Sequence, residues 1–268
     1  MAKKVRTLPR IPRTPSGSES QSSATIAVYS VKGGVGKTTL SANLAWCSAH
    51  LAGHRSLLWD LDATGGAGFL YGVDARKSKP VDAVFAQSRD PLKQVLHTDY
   101  EGLDILPADE SIRHLNEQLS QLGKRRRLAK LVSRLGDEYS RIILDCPPVM
   151  NEISAQVIRA ADLVIVPLPP SPLSNRAFDL VVQEIKAQGK GHPPILPVLS
   201  MLDLRRTLHR QAREANPDWP VIPYASVVEQ GAVRQRPVGA FAPGSPAAKC
   251  FAGLWEAIER KLSRDGKA

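Results

Sequence analysis

Six short apolar runs recur along the chain: TIAVYS (Thr25–Ser30), SLLWD (Ser56–Asp60), LDILPA (Leu103–Ala108), RIILDCPP (Arg141–Pro148), LVIVPLP (Leu163–Pro169) and ILPVLSM (Ile195–Met201). Each has strand length, is rich in aliphatic or β-branched residues and shows no strict alternation, which is the pattern of a strand covered on both faces. Most of the segments between them have helical length. Strands alternating with helices predict an α/β fold, a mostly parallel sheet flanked by helices on both faces. In such sheets ligands sit beyond the carboxyl ends of the strands, so the residues that close each run are the first candidates for chemistry. No internal repeat is evident.

The two ends of the chain read differently. Met1–Ser23 carries five basic residues (Lys3, Lys4, Arg6, Arg10 and Arg13), prolines and the polar run SGSESQSS, so residues 1–23 are expected to form a disordered basic tail. It is either an inert extension or an auxiliary contact for polyanions. Near the other end, Phe251, Leu254, Trp255, Ile258 and Leu262 form one stripe at helical spacing. Such a stripe is either a core face or a membrane-binding face, and core packing is the commoner fate.

Composition narrows the partners. The 268 residues are 43% hydrophobic, enough to bury one large α/β domain, and the formal net charge of +10 suggests a polyanionic partner, nucleic acid or an anionic membrane surface. The same charge also suits a generally soluble basic protein. Cys47, Cys146 and Cys250 lie far apart with no C-x-x-C pair, which argues against a zinc site or a disulfide framework and fits a reducing cytoplasm. Cys146 reads as a small buried residue. No apolar run approaches the ~20 residues of a membrane span, and no hydrophobic signal core opens the chain, so a cytoplasmic protein is expected.

The chemistry gathers at three strand ends. After the first run comes KGGVGKTT, Lys32–Thr39. Gly33, Gly34 and Gly36 let the backbone turn its N–H groups around phosphate oxygens, and the helix that opens near Lys37 adds its positive end. Lys37 is placed to reach the β and γ phosphates and the Thr38 hydroxyl to bind Mg²⁺. The pattern departs from G-x-x-x-x-G-K-[ST] in having Val31 at the first glycine and an additional lysine, Lys32. The second run ends in LLWDLDATGG, where one of Asp60 and Asp62 can orient a water and the other can help hold a metal's hydration shell. The run RIILD places Asp145 beside the metal site, and Pro147 and Pro148 stop the strand there.

KGGVGKTT, the D-x-D of Asp60 and Asp62, and LDCPP together resemble the deviant Walker A ATPases of the ParA/MinD superfamily. The resemblance extends over nearly all of Thr25–Leu262, including VLSMLDLRRTL and VIPYASVVEQGAVRQRPV. It implies a P-loop NTPase fold for a single domain over residues 24–268, with ATP and Mg²⁺ as cofactors. The nucleotide contacts it implies are Lys32, Gly33, Gly34, Val35, Gly36, Lys37, Thr38 and Thr39, with Pro223 beside the adenine. Thr38, Asp60 and Asp145 fall to the metal, and Lys32, Lys37 and Asp62 to catalysis. Lys32 is then the family's signature lysine, which crosses an ATP-bound homodimer to the partner's nucleotide; physically, a second cation spreads the charge of the transferring phosphoryl group and ties nucleotide state to dimerisation. ParA proteins commonly read D-x-D-P-Q where this chain has Asp62-Ala63-Thr64, and the absence of glycine at Val31 tilts the resemblance toward the partition branch.

Arg205–Ala268 holds 11 basic and 6 acidic residues. Arg205, Arg206, Arg210, Arg213, Arg234 and Arg236, interspersed with polar residues and without aromatic platforms, suit contacts to a phosphate backbone and not base reading. The expectation is a slow ATPase that dimerises with ATP, binds nucleoid DNA without sequence preference and positions a plasmid, chromosome or protein cluster through an adaptor that stimulates hydrolysis. The alternative is a MinD-like regulator on a membrane surface. A carrier for metal clusters is disfavoured by the missing cysteine pair, and a related tyrosine kinase by the lack of tyrosines after Tyr224.

Overall fold

The structure, a computed structural model, describes residues 23–73, 91–108, 127–189 and 191–264. The six expected strands form: β1 (Ala24–Val28), β2 (Ser56–Asp60), β4 (Leu103–Leu106), β5 (Arg141–Asp145), β6 (Leu163–Leu168) and β7 (Ile195–Leu202). Two short strands join them, β3 (Leu96–His97) and β8 (Val221–Pro223), to give an eight-stranded sheet in the order β3-β4-β2-β5-β1-β6-β7-β8. The β3–β4 pair at the edge is antiparallel, and the other neighbours run parallel.

Alternate residues of the central strands feed opposite faces of the sheet. Ile26, Val28, Leu58, Ile143 and Ile165 join one buried cluster. Ala27, Tyr29, Trp59, Leu144 and Val166 join the other. Both faces are therefore apolar, which is why the strands read as continuous apolar runs. The first cluster is covered by α1 (Lys37–His50) and by a helix near the end of the chain, Pro246–Arg264. The second is covered by helices over Arg127–Leu135, Glu152–Ala160 and Pro172–Lys186.

With α2 (Gly66–Leu70) following β2, these helices over Arg127–Leu135, Glu152–Ala160 and Pro172–Lys186 are α3, α4 and α5 in chain order. Then come α6 (Thr207–Ala215), α7 (Ser226–Arg234), the short α8 (Val238–Phe241) and α9 (Pro246–Arg264). The starts of α4 and α5 are encoded locally. Asn151 and Ser154 form a reciprocal capping box on α4, and Ser171 caps α5 with Pro172 in its first turn.

The C-terminal stripe goes to the core: Phe251, Leu254, Trp255, Ile258 and Leu262 are all buried. Full burial of such side chains contributes about 1.5–3 kcal/mol each, so the stripe is committed to holding α9 on the sheet. It offers no apolar face to a membrane. A charged clasp adds to this: buried Arg141 at the start of β5 donates through Nε and Nη2 to Glu259 of α9 at 2.9 and 2.8 Å, and His54 Nε2 lies 3.3 Å from the same carboxylate. Among the described residues no helix is long and apolar enough to cross a membrane. The tail expected over Met1–Ser23 lies outside the described residues except for Ser23, whose hydroxyl donates to the Tyr139 carbonyl at 2.9 Å.

Candidate functional site

Strand register assembles the site. Val28 of β1 lies level with Asp145 of β5, and Asp145 lies level with Asp60 of β2, so the first strand delivers its loop beside two carboxylates. In that loop Gly34 and Gly36 have φ of 71° and 88°, left-handed conformations that an L side chain resists. Gly36 is the N-cap of α1, with no side-chain cap and no acid in the first turn. The first N–H groups of a 14-residue helix are thus left for an anion. Ser200 Oγ donates to the Val35 carbonyl at 3.2 Å and ties the loop to β7, while Ser30 Oγ accepts from the Lys32 N–H at 3.2 Å.

Lys37 is buried, and its Nζ curls back to donate to the Lys32 carbonyl at 3.3 Å. Burial lowers its pKa against the opposing pull of Asp145 and Asp62, and a phosphate brought to Nζ would add to that pull. Asp145 is fully buried, and burial pushes its carboxyl up to about 6 despite the Thr38 and Ser41 hydroxyls and Lys37, with Asp62 pushing it further up. Ser41 Oγ donates to Asp145 Oδ1 at 3.0 Å, whereas Oδ2 is buried without a hydrogen-bond partner. Buried polar atoms are rarely left this way, and a hard divalent cation or its water next to the Thr38 hydroxyl would satisfy it. The residues present fit Mg²⁺.

Asp60 is engaged by the main chain. It is buried, its Oδ1 accepts from the Asp62 N–H at 3.0 Å and its Oδ2 from the Ala67 N–H at 2.9 Å. Both ends of the loop after β2 hang on this one carboxylate. Burial and the neighbouring Asp145 raise its pKa well above the usual range. Asp62 is half-buried, and its Oδ1 accepts from Thr64 twice, from the N–H at 3.0 Å and from Oγ1 at 2.9 Å. The loop passes close to α1: a Cβ on Gly66 would come within 3.1 Å of Thr38 Cγ2.

Lys32 lies at the mouth of the loop, with Nζ 3.2 Å from Ser174 Oγ and 3.5 Å from Ser171 Oγ at the start of α5. On the other side of Gly36 a cavity of about 160 Å³ is lined mainly by apolar side chains, including Val35, Leu40, Met201, Ile222 and Pro223, with Tyr224 at its rim. Met201 has φ of 51° where the β7–β8 register shifts between Leu199 and Leu202. That bulge turns its side chain toward Gly36. Of the expected contacts, Val35, Gly36, Thr39 and Pro223 line this cavity, while Asp60 and Asp145 are buried side by side at the carboxyl ends of β2 and β5, level with the end of β1 from which the loop starts. Sequence reasoning missed Ser41, Ser200, Met201 and Thr64. Ser41 sits one helical turn after Lys37, so helix periodicity points to it; the positive φ of Met201 has no sequence signal. Cys146 is buried, and burial holds its thiol protonated.

The six arginines divide. Arg205 is exposed but clasped by Asp203, Nε to Oδ1 at 2.8 Å and Nη2 to Oδ2 at 2.9 Å. Arg213 donates to the carbonyls of Asn216 and Trp219 at 3.3 and 2.9 Å and so closes the end of α6. Arg206 and Arg210 are exposed at the start of α6, where Arg210 donates to the Leu204 and Arg205 carbonyls. Arg234 and Arg236 are exposed around the end of α7: Arg234 lies over the Phe241 ring at 5.1 Å, and Arg236 Nε is 3.3 Å from Tyr100 Oη.

An uncapped helix start with a buried lysine in its first turn, beside a buried carboxylate that has one oxygen without a hydrogen-bond partner, places this molecule among the phosphate-loop NTPases. Comparison with known proteins narrows the class. A family model described as an AAA domain matches residues 23–193. The chromosome partitioning protein ParA of Caulobacter vibrioides is 30% identical over 195 residues, covering 69% of this chain and 72% of that protein. Among solved structures, an ATP complex of McdA from Cyanothece superposes with a TM-score of 0.78 at 19% identity, covering 89% of this chain and 97% of that one. The septum site-determining protein MinD from Pyrococcus horikoshii OT3, complexed with Mg-ADP, gives 0.75 at 25% identity, covering 90% and 97%. The chain belongs to the ParA/MinD family of P-loop ATPases, a family of partition and positioning proteins.

Proposed function

We propose that this protein binds and slowly hydrolyses ATP with Mg²⁺, forms a homodimer in the ATP state, and in that state binds nucleoid DNA without sequence preference to position a cargo. A cargo-linked adaptor accelerates hydrolysis and so releases the dimer from DNA in the cytoplasm. The observation that carries the nucleotide reading is the buried pair of Lys37 and Asp145 at the start of α1: a lysine whose Nζ meets a main-chain carbonyl, and a carboxylate oxygen without a hydrogen-bond partner.

In this reading the N–H groups of Gly33–Lys37 and Lys37 Nζ hold the phosphates, and the cavity beside Pro223 takes the base. Mg²⁺, when bound, neutralises charge on the β and γ phosphates and is held by Thr38 and, through Oδ2 or a water, by Asp145. Asp60 acts on the loop that carries Asp62, and Asp62 orients the attacking water. Lys32 reaches a partner subunit's nucleotide after leaving Ser171 and Ser174. The DNA surface is built from Arg206, Arg210, Arg234 and Arg236, with Arg205 and Arg213 engaged within their own segment. Burial of the C-terminal stripe favours DNA over a membrane as the surface. The test is cosedimentation of the ATP-loaded protein with unrelated DNA duplexes and, separately, with anionic liposomes. Binding to every duplex and to no liposome is expected; the opposite pattern overturns the DNA reading.

A further inference from the structure

The loop after β2 carries a device for which the proposed function has no role so far. Thr64 donates to Asp62 Oδ1 through its hydroxyl at 2.9 Å and through its N–H at 3.0 Å. The Gly65 N–H donates to the Asp62 carbonyl at 2.9 Å, with Gly65 in a left-handed conformation at φ 67°, and this closes the turn. Asp60 anchors the turn on both sides through the N–H groups of Asp62 and Ala67. One oxygen of Asp62 is therefore held by two donors within a closed turn, which restricts rotation of the carboxylate and leaves Oδ2 as the oxygen with capacity for a new partner.

We infer that Thr64 is a positioning residue for hydrolysis: its hydroxyl fixes the Asp62 carboxylate so that Oδ2 is presented to the attacking water. The inference rests on the proposed water-orienting role of Asp62. A general base works only within hydrogen-bond reach of the proton it draws, so a carboxylate free to rotate about its last torsion loses productive orientations. A threonine hydroxyl does this from the second residue after the acid, and its γ-methyl limits the hydroxyl's own rotamers. Thr64 is exposed, so the bond competes with water, and its effect is on orientation more than on stability.

The experiment uses the full chain, with ATP and Mg²⁺, and follows phosphate release together with nucleotide binding. Thr64→Val removes the hydroxyl and keeps the shape; kcat is expected to fall about three- to tenfold at unchanged KM and nucleotide affinity, as for loss of one orienting hydrogen bond. Thr64→Ser restores the rate. In an Asp62→Ala background Thr64→Val has no further effect, because there is nothing left to orient. Thermal unfolding checks that the variants are folded, and Thr64→Ala replaces Thr64→Val if the valine variant is not. Unchanged kcat in a folded hydroxyl-free variant, failure of serine to rescue, or an additive loss in the Asp62→Ala background overturns the role of Thr64. Absence of hydrolysis in the wild-type chain, or full activity in Asp62→Ala, instead overturns the reading on which it rests.

Discussion

In the proposed function Lys37 is the residue on which nucleotide binding turns. It is buried, feels the charge of Asp145, and its Nζ donates to a main-chain carbonyl at 3.3 Å. Lys37→Ala removes a charge-assisted contact, and MgATP affinity is expected to fall by about 3 kcal/mol, roughly 100-fold, in equilibrium binding with a fluorescent nucleotide. Asp62→Ala leaves the phosphate cradle intact, so binding persists while phosphate release slows by about 100-fold or more. Equal loss of binding in both variants contradicts this division of roles. Three acids and two lysines stand out in the sequence because Asp60 and Asp145 end apolar runs, Asp62 follows two residues on, and Lys32 and Lys37 flank the glycine loop. Their partners do not. That Asp60 gives both oxygens to the loop while Asp145 keeps one free depends on strand register, which places Val28, Asp145 and Asp60 level across three strands distant in sequence.

At the scale of elements, the six long strands were legible because burial on both faces leaves a continuous apolar run. β3 and β8, with two and three residues, are too short for any periodicity to mark them, yet β8 ends in Pro223 and helps line the cavity proposed to take the base. The arginines show the opposite limit. Their charge is legible, but Asp203 two residues before Arg205 and the carbonyls closing α6 near Arg213 take up cations that composition counts as available. Arg206→Ala combined with Arg234→Ala is expected to weaken binding to every duplex alike and to flatten the slope of log affinity against log salt by about 0.9 per lost phosphate contact. Arg205→Ala has a smaller effect, since its charge is already compensated. Fluorescence anisotropy over a salt series checks both; a loss confined to one sequence contradicts backbone contact.

Across the whole molecule, α9 closes the sheet through an apolar stripe and one ionic clasp. Burial pushes the Glu259 carboxyl up, but hydrogen bonds from Arg141 and His54 outweigh it and hold the pKa down at about 2, against an ordinary 4.5. A depressed acid stabilises the fold above its unfolded pKa, and that contribution drains away as pH falls from about 4.5 toward 2. Glu259→Gln removes the carboxylate charge that Arg141 and His54 share, so a loss of about 3 kcal/mol is expected at neutral pH, with a flatter pH dependence over that acid window. Urea unfolding at several pH values measures it; equal curves for wild type and variant contradict the clasp.

The proposed cycle couples nucleotide to assembly, and in it Lys32 is where the two meet. In the structure it rests on Ser171 and Ser174 of its own chain, 3.5 and 3.2 Å away, at the mouth of the phosphate loop. The most direct measurement is size-exclusion chromatography with light scattering on the wild-type chain, Asp62→Ala and Lys32→Ala, each with MgATP or MgADP. The account requires dimers of the first two with ATP, most persistent in Asp62→Ala, monomers of both with ADP, and a Lys32→Ala protein that binds ATP yet stays monomeric. A Lys32→Ala protein that dimerises with ATP as the wild type does would contradict it.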